Sequence, residues 1–224
     1  MTLPFFYTKD IAQDKIMLDE DNSRHAVSVL RMKEGDRLNL TNGKGFLLEA
    51  EITDAHKKKC TVKIIEKLFT DADERKTIIG ISLLKSGNRF EWFLEKATEL
   101  GISEIIPLIC DRTEKEHFRY DRLKGILISA MLQSQRVWLP VLHERVGLGQ
   151  LLRMEEVGRI EQRFIAHCQP EQKKSLAAAV DMKKPIQLVL IGPEGDFTNE
   201  EIEFALKYHF IPVSLGNNRL RTET

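Results

Sequence analysis

The sequence has no excess of charge of either sign. Its 224 residues include 34 Lys and Arg and 34 Asp and Glu, so the formal net charge is zero. The global basic field of many nucleic-acid-binding proteins is therefore absent, although this balance does not exclude RNA as a partner. Hydrophobic residues make up 42% of the chain and charged residues 30%. Such a composition excludes a disordered or fibrous protein and is typical of a globular one.

Cysteines and long apolar runs are also scarce. Cys60, Cys110 and Cys168 lie far apart and form no CxxC pair, which argues against a zinc site and indicates a reducing compartment. No apolar run approaches the ~20 residues that a membrane-spanning helix needs. Residues 1–10 lack the basic and apolar regions of a secretory signal. The sequence therefore predicts a cytoplasmic protein without a membrane segment.

Several common catalytic motifs are missing as well. The chain contains no GxxxxGK[ST] phosphate loop, no GxGxxG after a strand, no GxSxG elbow and no HExxH helix. Its six histidines share no spacing suited to metal ligands, so no metal site is predicted. These absences count against an α/β enzyme for a nucleotide or another small metabolite, which stays open as one alternative.

Short strand-like runs dominate the first seventy residues. Turn signals such as Asn42-Gly43 separate them, and glycine or asparagine there can accept the positive φ that hairpins require. We therefore predict a small β-barrel or sandwich over residues 1–70, with one short helix over Ser23–Met32 and a polar linker over residues 71–76. Ala26, Val27 and Leu30 are expected to face inward from this helix. The predicted strands are Arg37–Leu40, Phe46–Ile52 and Thr61–Leu68.

Two basic clusters stand out in this region. Residues 1–70 carry 12 basic and 11 acidic side chains, so the region as a whole is nearly neutral. The basic residues are nevertheless grouped, on one segment as Arg24, His25 and Arg31 and on one turn as Lys57, Lys58 and Lys59. Charge clusters are most often solvated surface, and contact with phosphates is the alternative.

Beyond residue 76 the pattern changes to strands that alternate with helices. A helix with Phe90, Phe93, Leu94, Ala97 and Leu100 on one face follows the first strand and ends at Gly101. Such alternation predicts an open α/β sheet over residues 77–224. The predicted strands are Thr77–Leu84, Glu104–Cys110, Arg163–His167, Ile186–Ile191 and Ile211–Leu215. Between the last two strands, Thr198 and Glu201 are spaced as a capping box, which predicts the start of a helix.

Three polar clusters follow the ends of predicted strands or helices. Gly192–Gly195 reads GPEG, Ser214–Thr224 reads SLGNNRLRTET, and Gln133–Arg136 reads QSQR. Each alone is typical of an ordinary turn, chain end or helix end. Since loops at the carboxyl ends of parallel strands are where such sheets bind ligands, the clusters together predict a site.

Five segments, taken in order, resemble a known family, the bacterial 16S ribosomal RNA uridine-N3 methyltransferases of the SPOUT superfamily. The resemblance extends over both halves of the chain. The segments are RHAVSVLRMKEGD with the following NGKG turn at Arg24–Gly45, LLKSGNRFEWFLEKATELGISEIIPL at Leu83–Leu108, AMLQSQRVWLP at Ala130–Pro140, IGPEGDF at Ile191–Phe197 and SLGNNRLRTET at Ser214–Thr224.

The resemblance implies both a fold and an activity. We expect a PUA-like β-barrel over residues 1–70 that helps to hold RNA, and a SPOUT domain over residues 77–224. The SPOUT domain is a knotted parallel sheet with helices on both faces, and the family forms homodimers whose active sites adjoin the partner subunit. The expected reaction is methylation of uridine N3 in 16S ribosomal RNA, or in the small subunit, with S-adenosyl-L-methionine as the cofactor. A catalytically inactive RNA-binding protein of the same fold is the alternative.

The resemblance also assigns residues. Arg221 or Arg136 would stabilise the uracil anion, Glu223 would accept its proton, and Thr222 would hydrogen-bond the base. The expected cofactor contacts are Ile191, Gly192, Glu194, Gly195, Leu215, Gly216 and Leu220. If the two basic clusters contact phosphates, the RNA-binding residues are Arg24, His25, Arg31, Lys57, Lys58 and Lys59.

Two differences from the family pattern are visible in the sequence. Asp196 stands where the family's GPEGG motif has its last glycine. Family members also continue past the RTET motif, into an alanine-rich helix that closes the cofactor pocket and contributes to the dimer interface.

Overall fold

The structure is a computed structural model that describes residues 3–115, 117–170 and 173–224. The chain divides into two compact units, which we describe separately. The N-terminal unit comprises Met1–Ala72 and Ile128–Leu139. The C-terminal unit comprises Asp73–Leu127 and Pro140–Thr224.

The N-terminal unit contains one five-stranded sheet, with strand order β1-β3-β4-β5-β2. Strands β1 and β3 are parallel, and the other neighbours are antiparallel. Alternate residues of β3 and β4, such as Leu38, Leu40, Leu48 and Ala50, are fully buried beneath it. The elements are β1 (Phe5–Tyr7), β2 (Lys15–Met17), α1 (Glu20–Arg24), β3 (Arg37–Thr41), β4 (Phe46–Asp54) and β5 (Thr61–Phe69).

The helical segment that follows β2 begins earlier than predicted. Asp19 caps α1 by accepting the N–H of Asn22, and a π-helical turn over His25–Val29 follows directly. Ala26 is buried as expected, whereas Leu30 is 43% exposed and does not face inward. Arg31 then ends the segment in a left-handed conformation with φ of 57°.

The segment Ile128–Leu139 packs with the N-terminal unit, although it lies within residues predicted to form the second domain. Hydrogen bonds explain the association. The N–H of Gly45 donates to the carbonyl of Val137, and the N–H of Leu139 donates to the carbonyl of Gly43, both at 2.9 Å. A Cβ atom at Gly45 would lie 2.7 Å from the ring of Trp138, so this contact requires glycine. Contacts of such sequence separation leave no local pattern, which is why the prediction of two consecutive domains missed them.

The C-terminal unit is built on an eight-stranded sheet, with the order β11-β13-β10-β12-β6-β7-β8 and with β9 paired to β7. All of its pairings are parallel. The strands are β6 (Lys76–Ser82), β7 (Glu104–Ile109), β8 (Val141–Leu142), β9 (Val146–Gly147), β10 (Gln162–Ala166), β11 (Lys174–Ser175), β12 (Ile186–Ile191) and β13 (Ile211–Ser214). The helices are α2 (Gly87–Leu100), α3 (Tyr120–Gln133), α4 (Leu148–Leu152), α5 (Glu155–Gly158), α6 (Leu176–Ala179) and α7 (Asn199–Lys207), and the second half of α3 belongs to the N-terminal unit.

Strand β12 lies at the centre of this sheet and is covered on both faces. Leu188 and Leu190 pack in the larger core with residues of α4, α5 and α7, while Val189 packs on the opposite side against residues of α6. This explains the uninterrupted apolar run in the sequence, because a half-buried strand would alternate. The predicted α/β fold with a parallel sheet and helices on both faces is confirmed. The trefoil knot stays a prediction, since strand order alone does not fix how the chain passes through its loops.

Helix ends follow the predicted signals at two places. Gly101 ends α2 in a left-handed conformation with φ of 85°. Thr198 and Glu201 form a complete capping box at the start of α7. One assignment is wrong: Leu100, expected to be on the buried face of α2, is 80% exposed. Among the described residues, no helix is both long and apolar enough to cross a membrane.

Candidate functional site

A cavity of about 1020 Å³ opens at the carboxyl edge of the parallel sheet, within the C-terminal unit. Three loops form most of its wall, and they follow the neighbouring strands β10, β12 and β13. Helix α2 contributes one side through residues that include Trp92 and Lys96. This is the edge at which parallel α/β sheets bind their ligands.

The loop after β12 is held from two directions. Arg112 Nη1 donates to the carbonyl of Gly195 at 2.7 Å. Glu194 Oε1 accepts from the backbone N–H of Lys85 and from Arg89 Nη1, each at 3.2 Å. Beneath the loop, the fully buried ring of Phe197 lies where a Cβ atom on Gly192 would come within 3.1 Å of it. Glycine is therefore needed at position 192 for the loop to pack this closely.

Arg89, in the first turn of α2, also binds the end of the described chain. Its Nε and Nη2 donate to the two carboxylate oxygens of Glu223 at 2.6 and 2.5 Å. The Glu223 side chain is only 8% exposed. This bidentate bond with Arg89 lowers the pKa of Glu223, and the same bond raises the pKa of Arg89. Glu223 is therefore a stably ionised carboxylate that holds the RTET segment beside the loop after β12.

The loop after β13 differs because its side chains are exposed. Leu215 is 42% exposed and Leu220 is 45% exposed, yet both line the cavity. The hydrogen bond found here is local, since the N–H of Gly216 donates to Ser214 Oγ at 3.3 Å. Apolar side chains at the mouth of a cavity provide surface on which a flat ligand can be buried.

The structure brings together nearly all of the predicted cofactor contacts. Glu194 and Gly216 line the cavity together with Ile191, Gly192, Leu215 and Leu220. Gly195 does not line it; its carbonyl instead accepts from Arg112.

The predicted catalytic residues are divided between the two units. Arg221, Thr222 and Glu223 line the cavity, and Arg221 is exposed. Arg136 lies in the N-terminal unit and does not line the cavity.

The predicted RNA contacts all lie in the N-terminal unit and are exposed. Ser23 Oγ accepts the N–H of Cys60 at 3.0 Å, which places the lysine turn beside α1. Lys58 Nζ lies 3.3 Å from Glu20, and Arg24 pairs with Asp21 at 2.8 Å. The ring of His25 packs edge-on against Phe6, with 5.6 Å between centroids. The two clusters, about thirty residues apart in sequence, thus lie beside each other with Glu20 and Asp21 between them, and we call this region the α1 surface. The residues of the α1 surface are Arg24, His25, Arg31, Lys57, Lys58 and Lys59.

Several residues of the site were not predicted. Arg89 lies in a segment that carried the family resemblance, and its place in the first helical turn after a strand was the available signal. The loop after β10, with Cys168 and Gln169, also lines the cavity. Its position after a predicted parallel strand could have indicated it. Within the part of the chain that the structure describes, no group of His, Cys, Asp and Glu side chains could hold a metal ion.

Comparison with known proteins decides the family. Residues 72–224 match the RNA methyltransferase domain family, and residues 18–65 match the RNA methyltransferase PUA domain family. The chain belongs to the RNA methyltransferase domain family. The match begins at residue 72, next to the division between the two units after Ala72.

Individual relatives agree with this membership. The chain is 30% identical to ribosomal RNA small subunit methyltransferase E of Synechocystis, with 96% of this chain and 71% of the relative covered. It is 29% identical to the protein of that name from Rickettsia conorii, with 94% of this chain and 85% of the relative covered. Among solved structures, it resembles ribosomal RNA small subunit methyltransferase E from Neisseria gonorrhoeae bound to S-adenosyl methionine, with a TM-score of 0.86 and 29% identity, and with 99% of this chain and 92% of that chain covered.

Proposed function

We propose that this protein methylates 16S ribosomal RNA of the small subunit, at N3 of a uridine, with S-adenosyl-L-methionine as the cofactor. The observation that carries the proposal is the cavity at the carboxyl edge of the parallel sheet, where the IGPEG and RTET motifs meet in a chain of this family. Its similarity to a relative that was crystallised with S-adenosyl methionine supports the choice of cofactor.

The residues that line the cavity fit this cofactor. The volume of about 1020 Å³ is at the upper end of the ~300–1000 Å³ usual for ligand pockets. Leu215 and Leu220 offer apolar surface, and Glu194 offers a carboxylate for polar donors. The residues that would hold the cofactor are Ile191, Gly192, Glu194, Leu215, Gly216 and Leu220, with Gly195 supporting the loop. S-adenosyl-L-methionine, when bound, supplies an electrophilic methyl group on a sulfonium.

Arg221 and Thr222 would act on the uracil ring. Methyl transfer depends largely on orientation, which can supply ~7–11 kcal/mol of the barrier. Thr222 would fix the ring by a hydrogen bond. Uracil N3 must lose its proton before it can attack, and the Arg221 guanidinium would favour the resulting anion by its positive charge.

Glu223 is better suited to holding the segment than to accepting the N3 proton. A carboxylate whose pKa is lowered by two hydrogen bonds from Arg89 is a weak base. We therefore assign to Glu223 the task of anchoring Arg221 and Thr222 at the cavity. The N3 proton then passes to solvent water, and this transfer is favoured because positive charge lowers the pKa of the uracil.

Arg136 is proposed as a second stabilising charge, supplied through a homodimer. Two variants can test a site shared between subunits. Arg136→Ala and Arg221→Ala proteins, each inactive alone, are mixed under conditions that exchange subunits. Recovery of about a quarter of the wild-type activity is expected, because in mixed dimers one of the two sites keeps both arginines. No recovery from two inactive variants would exclude this arrangement.

The α1 surface is proposed to contact RNA phosphates. Replacing Lys57, Lys58 and Lys59 by Ala should weaken RNA binding and reduce its salt dependence, since each phosphate contact contributes ~0.7–0.9 to the slope of log K against log salt. The control replaces Lys183, which is exposed, and Lys184, which is half-buried. Both lie in the C-terminal unit, and their replacement should leave the slope unchanged. An unchanged slope in the triple variant would assign the lysines to solvated surface.

The main experiment follows methyl transfer directly. Mass spectrometry of 16S ribosomal RNA from cells lacking this protein should show the loss of one methyl group on a uridine, and complementation should restore it. Arg221→Ala should lower kcat by ~10²–10³, as removal of a stabilising charge does elsewhere. An RNA that keeps its methyl groups in the deletion strain, together with RNA binding by the purified protein, would indicate a catalytically inactive RNA-binding protein.

We further propose a cytoplasmic location, because ribosomal RNA is assembled into subunits there. Fractionation of cells that carry a tagged full-length chain tests this, and enrichment in a membrane or extracellular fraction would contradict it.

A further inference from the structure

We infer that Asp196, together with Lys173, holds the loop after β10 in an ordered position at one side of the cofactor cavity. We call this loop, His167–Gln169, the β10 loop. The inference depends on the proposed function for the identity of the ligand and on the geometry alone for the clamp itself.

The backbone at Asp196 is the first observation. Asp196 has φ of 64°, in the left-handed region that non-glycine residues rarely adopt. Aspartate tolerates this region better than most residues because its short polar side chain can bond to nearby backbone groups. Glycine would adopt this conformation more easily. An aspartate at this position is therefore favourable only if interactions of its side chain offset the backbone strain.

The side chain of Asp196 makes that contribution by joining two loops. Its Oδ2 accepts the backbone N–H of Cys168 at 2.8 Å. Its Oδ1 accepts the backbone N–H of Phe197 at 2.9 Å. One carboxylate therefore connects the loops that follow β10 and β12, which are adjacent parallel strands. Bonds from an N–H group to an ionised acceptor are stronger than bonds between neutral groups.

Lys173 holds the β10 loop through its carbonyl groups. Its Nζ donates to the carbonyls of His167 and Gln169 at 2.6 and 2.7 Å. Three consecutive residues of the loop are thus bound by two side chains of opposite charge. Asp196 takes the central N–H, and Lys173 takes the two flanking carbonyls. Beyond the end of a strand, backbone N–H and carbonyl groups no longer form hydrogen bonds to a neighbouring strand. In the β10 loop, the side chains of Asp196 and Lys173 form hydrogen bonds with these groups instead.

The position of the clamp connects it to ligand binding. All three residues of the β10 loop line the cavity, as do Lys173 and Asp196 themselves. A wall that is ordered before the ligand arrives spares the complex the entropy of ordering it, which raises affinity without a new contact. Asp196 is therefore a positioning residue rather than a catalytic one, and its removal should weaken cofactor binding more than it slows turnover.

Two substitutions at position 196 separate the backbone from the side chain. Asp196→Gly keeps the left-handed backbone and removes both acceptor oxygens. Asp196→Asn keeps one acceptor oxygen and tolerates the same φ. Asp73→Gly is the matched control, because Asp73 Oδ1 accepts an exposed N–H from Arg75 at 2.8 Å and does not line the cavity.

The first readout needs no ligand. Hydrogen exchange of the Cys168 amide, measured on the full chain without cofactor, should become ~tenfold faster or more in Asp196→Gly, as expected for the loss of a charge-assisted bond. Exchange should be intermediate in Asp196→Asn and unchanged in Asp73→Gly. Lys173→Met should accelerate the same amide and serves as the second variant if Asp196→Gly fails to fold. An unchanged Cys168 amide in the folded variants would overturn the clamp.

The second readout uses S-adenosyl-L-methionine as the probe. By calorimetry, Kd should rise ~tenfold in Asp196→Gly and less in Asp196→Asn, while kcat at saturating cofactor stays within about twofold. Faster exchange with an unchanged Kd would overturn the positioning role. If the wild-type chain binds no S-adenosyl-L-methionine, the proposed function and the cofactor part of this inference both fail, and the exchange data still decide whether the clamp exists.

Discussion

The two motif loops of the cavity are built in opposite ways. The loop after β12, Gly192–Asp196, is bound through its side chains or carbonyls by Arg112 and Arg89, and it packs on the buried ring of Phe197. The loop after β13, Leu215–Leu220, consists of exposed residues, and one of them is Gly216, whose φ is 152°. We call them the fixed wall and the open wall.

The difference shows how one site can be both preorganised and accessible. Regions with few buried contacts open at little free-energy cost, whereas regions tied to the core open only with it. The fixed wall can therefore define where the ligand lies, and the open wall can move to admit it. Glu223 bonds to Arg89 just beyond the open wall, so the mobile part is limited at its far end. Five predictions test this comparison.

The largest effect is expected beneath the fixed wall. Phe197→Ala removes a fully buried ring and should lower the free energy of unfolding by ~3–5 kcal/mol. Leu220→Ala, on the open wall, should change it by less than ~0.5 kcal/mol because that side chain is 45% exposed. Urea denaturation of both variants measures the two values. Equal losses would mean that the walls do not differ in stability.

Breaking the Arg89 to Glu223 pair should release the end of the open wall. Glu223→Gln removes the charge and should weaken anchoring by ~1.5–3 kcal/mol, the range for hydrogen bonds to charged groups. The expected result is faster hydrogen exchange at the Thr224 amide, which donates to the Arg221 carbonyl at 3.0 Å, with little change in global unfolding. Glu203→Gln, on the exposed side of α7, is the control. Unchanged exchange at Thr224 would mean that this pair does not hold the segment.

The same pair predicts a pH dependence. Because Arg89 lowers the pKa of Glu223, anchoring is fully present above the ordinary carboxyl pKa of ~4.3 and is lost as pH falls through the lowered pKa of the folded state. Exchange rates corrected for intrinsic pH effects should thus be constant from neutral pH to about 5 and rise below about 4. In Glu223→Gln this acid-induced rise should disappear. A rise that persists there would assign it to another group.

A smaller effect is expected at the beginning of the open wall. Gly216→Ala places a side chain at φ of 152°, where L residues are strained even though nothing lies within 4 Å. We expect the free energy of binding S-adenosyl-L-methionine to weaken by ~1 kcal/mol, which corresponds to a Kd raised ~fivefold. Gly87→Ala, which also has open space but no positive φ, is the control and should be neutral. An equal rise in Kd in both variants would show that the positive φ at Gly216 is not the cause of the weaker binding.

The last prediction concerns chemical labelling of the cysteines, which is expected to disturb the fold least. Burial raises the pKa of the Cys60 and Cys110 thiols, whereas Cys168 is exposed on the β10 loop. A thiol reagent should therefore modify one cysteine per folded chain and three after denaturation. Since Cys168 lines the cavity, S-adenosyl-L-methionine should slow that modification. Labelling of Cys110 at a similar rate would contradict the assigned burial.

Much of the C-terminal fold was predictable because its signals are local. Strand β12 begins and ends where the apolar run does, and the capping box at Thr198 marks the helix that follows. Short elements were missed, among them β8 and β9 with two residues each, since two residues cannot establish a periodicity. In the N-terminal unit the helix boundary was misplaced because Asp19, four residues before the predicted start at Ser23, is the cap.

The candidate site was predictable in its location and less so in its contacts. The two motif loops follow strands that the sequence identifies, and parallel pairing brings them to one edge. Which carboxylate meets which guanidinium was not accessible, because Arg89 and Glu223 are separated by 134 positions.

The sequence by itself determined the longer strands of the sheet, the capping of α7, the family and the loops that form the cavity, because each depends on neighbouring residues or on motifs read in order. Only the tertiary structure decided that Ile128–Leu139 packs with the N-terminal unit, that Glu223 is held by Arg89, and that Asp196 joins the β10 loop to the fixed wall. These contacts connect residues far apart in the chain, and their partners are chosen by the geometry of the folded backbone.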